Sequence, residues 1–184
     1  MARASKIRGE GELIAHVGRK PGTHADDVQL DLTAFLVGAE DKVPQGDRLY
    51  CVFYNNHLSV DRSTRFLEDV ADGSEFIHID LKDVDERVKK IIFAVTIYDA
   101  DVLGHTFGTI SDARYWVEGE FVSKPGLAEI HSDNLSEQFP GHAAVVIGEV
   151  YRSSKGWEYR KLGTNHTYAS LADVGRAYGV RFDS

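Results

Sequence analysis

The segment Ile91-Ile92-Phe93-Ala94-Val95-Thr96-Ile97-Tyr98 carries the strongest strand signal in the chain. Seven of its eight residues are β-branched or aromatic, which is the composition typical of a buried strand. The segment therefore predicts an interior strand of a sheet. Eight residues are also far fewer than the roughly 20 that a bilayer-spanning helix needs, so no membrane span is predicted.

Further strand signals lie on both sides of this segment. Residues 28–37 alternate apolar side chains with others, and residues 49–54 are dense in aromatic and β-favouring types, which predicts a second interior strand. Shorter strands are predicted at residues 13–17, 76–81, 113–117, 119–122, 128–131, 143–151 and 157–162. Turn signals separate these strands at intervals of about ten residues, a spacing typical of an antiparallel sandwich.

Two segments break this rhythm. Residues 168–178 repeat apolar side chains at helical spacing before Gly179, which predicts a terminal helix. Residues 61–86 are rich in acids, with Gly73 and Ser74 in the middle, and predict an acidic loop rather than a packed element, with a helical turn at residues 83–88. The predicted fold class is mainly β: an antiparallel two-sheet β-sandwich with a short C-terminal helix.

Composition and charge bound the class of protein. A chain of 184 residues with 42% hydrophobic side chains can form one domain, and we assign residues 13–184 to it and residues 1–12 to a flexible lead-in. The net charge of −8 argues against a phosphate-neutralising surface, so no nucleic-acid partner is expected. A single cysteine, Cys51, and the lack of an apolar leader at the start predict a cytoplasmic protein.

Catalytic signals are missing from the sequence. There is no G-x-S-x-G motif, and Cys51 lies inside a predicted strand, where a small core side chain is the expected role. The eight histidines show none of the spacings of zinc sites. Residues 18–23 lack the Gly-Lys-Thr ending of a phosphate-binding loop. The sequence therefore predicts a protein that is not an enzyme.

Two groups of acidic residues are candidates for binding a hard cation. The first group is Asp26, Asp27 and Asp31, and the second is Asp61, Glu68, Asp69, Asp72, Ser74 and Glu75. Calcium takes six to eight oxygen ligands from carboxylates, amides and backbone carbonyls. Neither group matches the EF-hand pattern, and acidic loops that are simply solvated are the alternative interpretation.

Six short blocks, in this order, carry a resemblance to a known family. They are residues 30–36, 53–56, 91–100, 107–113, 148–152 and 157–160, with the sequences LDLTAFL, FYNN, IIFAVTIYDA, FGTISDA, GEVYR and WEYR. The series resembles the TerD family of tellurium-resistance and stress-response proteins. The likeness runs from about residue 13 to about residue 180 and includes a closing helix.

This resemblance implies a fold, a metal and a mode of action. The expected protein is a non-enzymatic β-sandwich that binds Ca²⁺ through one acidic loop before the Asp31 strand and a second after Asn56. The metal ligands that it implies here are Asp27, Asp31, Asp61, Asp69, Asp72 and Glu75. Its expected partners are other resistance or stress proteins.

The chain departs from the family pattern in both loops. Gln29 stands where the family has the central carboxylate of a D-x-D-x-D run, and Arg62 and Arg65 bring positive charge near the second loop. We therefore expect a divergent member in which at least one calcium site is weakened or lost. Two hypotheses follow: a calcium-binding scaffold that acts through protein partners, and a metal-free interaction module on the same fold.

Overall fold

The chain folds into two antiparallel sheets, as seen in a computed structural model that describes residues 5–7, 11–19, 28–122 and 125–182. The strands are β1 (Ser5–Lys6), β2 (Glu12–Arg19), β3 (Leu30–Val37), β4 (Cys51–Val52), β5 (Thr64–Asp69), β6 (Ser74–Asp80), β7 (Lys90–Ile97), β8 (Ala113–Glu120), β9 (Leu127–Asn134), β10 (Ala144–Ser153), β11 (Gly156–Lys161) and β12 (Thr167–Tyr168). The helices are α1 (Ala100–Leu103), α2 (Leu135–Gln138) and α3 (Leu171–Ala177).

The strand order confirms the predicted two-sheet β-sandwich with a short C-terminal helix. One sheet runs β1-β11-β10-β7-β3-β4, with β12 added beside β10, and the other runs β5-β6-β2-β8-β9. Ser5 and Lys6, inside the stretch assigned to the lead-in, pair with β11. No helix among the described residues is long and apolar enough to cross a membrane.

Strands β3 and β7 form the centre of the first sheet, as their composition predicts. β7 pairs with β10 on one side and with β3 on the other, and its Phe93 is fully buried. Every residue of β3 is buried because both faces of this strand are covered. On one face the ring of Tyr178, directly after α3, lies 5.3 Å from the ring of Phe35.

The predicted interior strand at residues 49–54 is wrong in part. A 3-10 turn occupies Arg48–Tyr50, and the strand that follows has two residues and lies at the edge of its sheet. It ends early because Phe53 and Asn56 exchange two backbone hydrogen bonds, which turn the chain away. The side-chain amide of Asn56 also donates to the Cys51 carbonyl oxygen over 2.7 Å, so this backbone carbonyl of β4 has a hydrogen-bond partner.

The acidic loop predicted at residues 61–86 is wrong at residues 64–69, which form β5, whereas the strand predicted at residues 76–81 is confirmed by β6. The two strands form a hairpin. Its inward positions carry Phe66, Ile77 and Ile79, which are buried, and most of its charged side chains alternate with these toward solvent. Gly73 supplies the positive φ of 70° that the connecting turn requires.

Two smaller predictions are corrected as well. The helical turn lies at Leu81–Asp83 rather than at residues 83–88. Residues 113–117 and 119–122, predicted as two strands, contribute to a single strand, β8. Gly119 does not interrupt it, because this glycine pairs with Leu13 in the neighbouring strand.

Candidate metal site

Glu75 reaches from the second sheet to the backbone of the first. It occupies the core-facing row of β6 with Ile77 and Ile79, one residue from the end of the strand, and only 2% of its surface is exposed. Its Oε2 accepts a hydrogen bond of 2.6 Å from the Leu32 N–H. That N–H is available because β4 pairs only with Ala34 and Phe35, which leaves the first half of β3 without a strand on this side.

Asp31, the residue before Leu32, is the second buried carboxylate and is likewise 2% exposed. The side-chain amide of Gln29 donates to Asp31 Oδ1 over 2.9 Å, and Gln29 also lowers the pKa of the Glu75 carboxyl. Gln29 is therefore a neutral neighbour of both acids. We call Asp31 and Glu75 the acidic pair.

Burial governs the protonation of the acidic pair. Desolvation raises the pKa of Asp31 to about 7, opposed by the Gln29 hydrogen bond and increased by the charges of Asp99 and Glu68. It raises the pKa of Glu75 to about 8, opposed by the Leu32 N–H and increased by Asp31 and Glu68. Within the described residues, no Lys, Arg or His side chain forms an ion pair with either acid.

Tyr54 and Asp99 complete the surroundings of the acidic pair. Burial raises the pKa of the Tyr54 phenol, and the charges of Asp31, Asp99 and Glu75 raise it further. The ring of Tyr54 meets the ring of Tyr98 edge to face, with centroids 6.4 Å apart. Sequence reasoning missed Asp99 as a site residue, although an acid directly after β7, the neighbour of β3, was a usable signal.

The predicted ligand Asp69 is the last residue of β5, and the predicted ligand Asp72 lies in the turn that leads into β6. Asp69 Oδ1 accepts from the Ala71 N–H over 2.9 Å, and Asp72 Oδ1 accepts from the Ser74 N–H over 2.8 Å. Hydrogen bonds from the Ser74 hydroxyl and backbone lower the pKa of Asp72. Both carboxylates are exposed and hold the turn together, and neither contacts the acidic pair through a hydrogen bond.

Asp61 lies at the opposite end of β5 from Glu68 and Asp69, beyond Thr64. Its Oδ1 accepts hydrogen bonds from the Ser59 hydroxyl and from both the backbone and the hydroxyl of Ser63. Its Oδ2 accepts from the Asp85 N–H over 2.9 Å. The structure thus gives Asp61 a turn-forming role away from the acidic pair. Asp27, the remaining predicted ligand, is outside the described residues.

The acidic pair provides the hard oxygen donors that calcium prefers, though not a full ligand set. Within the described part of the chain, no three or more His, Cys, Asp or Glu side chains are arranged to hold a metal. Thr33 Oγ1, on the same face of β3 as Asp31, is buried and has no hydrogen-bond partner among the described residues. The two buried carboxylates, which have no cationic partner among the described residues, therefore supply part of the oxygen ligand set of a hard cation.

Comparisons with known proteins agree on one family. The TerD domain profile matches residues 6–178. The tellurium resistance protein TerD of Alcaligenes sp is 34% identical over 163 residues, which cover 86% of this chain and 81% of that protein. This chain belongs to the TerD family.

Two further comparisons are with a general stress protein and with a solved crystal structure. General stress protein 16U of Bacillus subtilis (strain 168) is 28% identical over 160 residues, which cover 84% of this chain and 79% of that protein. The crystal structure of a TerD homologue, SCO6318 from Streptomyces coelicolor A3(2), superimposes with a TM-score of 0.67 at 19% identity, covering 95% of this chain and all of that one. The family is therefore one of tellurium and stress resistance.

Proposed function

We propose that this TerD-family chain is a non-enzymatic, cytoplasmic calcium-binding protein that acts in stress or tellurite resistance through protein partners. The observation that carries the proposal is the acidic pair. Two buried carboxylates that have no Lys, Arg or His partner among the described residues are costly to ionise, and a divalent cation is the partner that would offset this cost.

Asp31 and Glu75 are the residues that would hold the ion, with Glu68 and Asp99 adding negative charge nearby. Bound calcium would supply positive charge and draw loop oxygens toward the end of the sandwich. Asp27 precedes β3 by three residues in the sequence and remains a proposed ligand. The exposed acids Asp69 and Asp72 would contribute charge from the neighbouring turn.

The proposed mode of action rests on what surrounds this end of the sandwich. Val70 lies in the turn between β5 and β6, the hairpin that carries Glu75, and is 90% exposed. Val102 lies in α1, the helix that follows Asp99, and is 77% exposed. Apolar side chains on loop tips are typical contact points for a protein partner. A calcium ion at the acidic pair would fix the loops that present them.

The metal-free module is the second candidate, and Gln29 favours it. This side chain donates an N–H to Asp31, whereas a metal ligand at this place would offer oxygen. This donated N–H stabilises the Asp31 carboxylate without an ion. In this alternative the acidic pair is a structural link between the sheets, held by Gln29 and the Leu32 N–H.

Thermal melting separates the two candidates. A ligand that binds only the folded state raises its melting temperature by mass action. We expect excess calcium to raise the melting temperature of chelator-treated protein, and Asp31→Asn and Glu75→Gln to lose most of this rise. Glu129→Gln, which removes one exposed carboxylate from β9, is the matched control and should keep it. Identical melting of the unaltered protein in calcium and in chelator would favour the metal-free module.

Partner binding is tested by affinity capture from cells under oxidative or metal stress. The unaltered chain, the Asp31→Ala, Glu75→Ala double variant and Glu129→Gln would be compared with and without chelator. Partners that the double variant and the chelator both release support a calcium-organised surface. Partners retained under both conditions support the metal-free module.

A further inference from the structure

A cavity of about 430 Å³ lies beside the edge strand β4, against α3 and the segment that follows it. Its walls are Arg48, Leu49, Phe53, Tyr54, Asn55, Asn56, Leu171, Ala172, Arg181 and Phe182. This volume is within the range of small-molecule pockets and far below what a folded partner needs. The cavity is separate from the acidic pair. Tyr54 lines the cavity and is also close enough to the acidic pair for its charges to act on the phenol.

Two exposed arginines, Arg48 and Arg181, line this cavity although the chain is acidic overall. Neither Arg48 nor Arg181 forms an ion pair or a side-chain hydrogen bond within the described part of the chain. Arg87, Arg114, Arg160 and Arg176 have acidic partners, whereas Arg62 and Arg65, which lie away from this cavity, also form no ion pair within the described residues. Two unpaired guanidinium groups in one cavity provide a fork of N–H donors for an oxyanion.

Aromatic rings form another part of the wall. Phe53 meets Phe182 edge to face, with centroids 5.2 Å apart, and meets Tyr54 in the same manner at 5.0 Å. These rings offer an apolar, planar surface for stacking. Asn55 adds an exposed side-chain amide, whereas the Asn56 amide already donates to the Cys51 carbonyl.

We infer that this cavity binds a small organic anion in which a phosphate or carboxylate group is attached to a planar ring. The arginines select the anionic group, and the rings select the planar one. An inorganic anion would leave the aromatic wall unused, and a neutral ring would leave both guanidinium groups unpaired. Because the acidic pair lies on the Tyr54 side, the anionic group is placed at Arg48 and Arg181 and the ring nearer Tyr54.

Titration of the full chain with phenyl phosphate, followed by ¹H–¹⁵N NMR, tests this inference. The reporters are the Asn55 side-chain amide and the backbone amides of Leu171 and Ala172, which line the cavity. Parallel titrations use benzoate, inorganic phosphate and phenol. The variants are Arg48→Gln and Arg181→Gln, with Arg65→Gln as the matched control because Arg65 is exposed and does not line the cavity.

Saturable shifts at these amides with phenyl phosphate or benzoate support the inference, and the tighter of the two identifies the anionic group. Inorganic phosphate and phenol should each bind about tenfold more weakly, and each cavity-arginine variant should weaken binding about threefold to tenfold. The spectra also show directly that each variant is folded. Shifts that persist in both arginine variants, an equal loss in Arg65→Gln, or equal binding of inorganic phosphate would overturn the inference.

Discussion

The side chains of Gln29 and Asp31 are joined by an amide-to-carboxylate hydrogen bond of 2.9 Å. The two residues lie two positions apart, the second of them in β3, and Gln29 also lowers the pKa of Glu75. A neutral amide thus lies beside both members of the acidic pair. Its N–H stabilises the Asp31 carboxylate and would compete with a metal ion for it.

Replacing Gln29 with Asp should therefore tighten calcium binding. The substitution removes the competing N–H donor and adds an anionic oxygen, so the affinity should rise by roughly tenfold. In chelator the same variant should melt at a lower temperature, because a third carboxylate repels the acidic pair. Calorimetry and thermal melting check the two effects, with Gln45→Asp as a control remote from the pair in the sequence. Unchanged affinity would mean that Gln29 does not face the ion.

The acidic pair should make stability fall as the pH rises. The folded-state pKa values of Asp31 and Glu75, about 7 and about 8, lie above the unfolded values of 3.8 and 4.5. Both groups therefore contribute stability fully below about pH 4, and this contribution is lost as the pH rises through the folded values near 7 and 8. Denaturant melts in chelator between pH 4 and about 8.5 measure the loss.

The comparison with Asp31→Asn and Glu75→Gln isolates the contribution of the pair from that of other groups. Each variant should show a smaller fall in the free energy of unfolding over this pH range than the unaltered protein. Saturating calcium should reduce the fall in the unaltered protein alone. A pH dependence that is the same in the variants and the unaltered protein would show that these carboxyls are not buried in solution.

Phe93→Ala should destabilise the domain by about 3 to 5 kcal/mol. Phe93 is fully buried in the central strand β7, and its ring lies 6.4 Å from those of Tyr115 and Tyr159, so truncation leaves a cavity between the sheets. Val102→Ala, at a side chain that is 77% exposed, should change stability by less than about 0.5 kcal/mol. Urea denaturation measures both. A loss below about 1 kcal/mol for Phe93→Ala would be incompatible with this core.

Gly148→Ala tests the polar contact between the sheets. A Cβ at this position would overlap Tyr159 Oη, which is 3.1 Å from Tyr115 Oη and 2.7 Å from His131 Nδ1. Tyr159 must move, so we expect a loss of at least about 1 to 3 kcal/mol. Gly141→Ala, where an added Cβ has no atom within 4 Å, is the control and should be close to neutral. Equal stability of the two variants would refute the arrangement.

The sequence predicted the centre of the fold because the signal there is local. β3 and β7 are continuous runs of strand-forming residues, and their burial follows from composition. β5 was missed because only Thr64 and Phe66 among its six residues are buried, so acids and bases dominate its composition. The composition of residues 49–54, dense in aromatic and β-favouring types, predicted an interior strand, whereas the edge position of β4 depends on the Asn56 turn.

Part of the candidate site could also be predicted from the sequence, but for a different reason. Asp31 and Glu75 are 44 positions apart, and only the packing of one sheet on the other brings Glu75 to the Leu32 N–H. Their spacing in the sequence could not show that the two residues lie close together. The resemblance to the TerD family predicted both as metal ligands. The same resemblance also selected Asp61, which the structure places in a turn at the other end of β5.

Calorimetric titration of calcium into chelator-stripped protein tests directly whether the acidic pair binds calcium. We expect saturable heat in the unaltered chain, loss of that heat in Asp31→Asn and Glu75→Gln, and its retention in Glu129→Gln. Absence of saturable heat in the unaltered chain, or equal heat in all four proteins, would contradict calcium binding at the acidic pair.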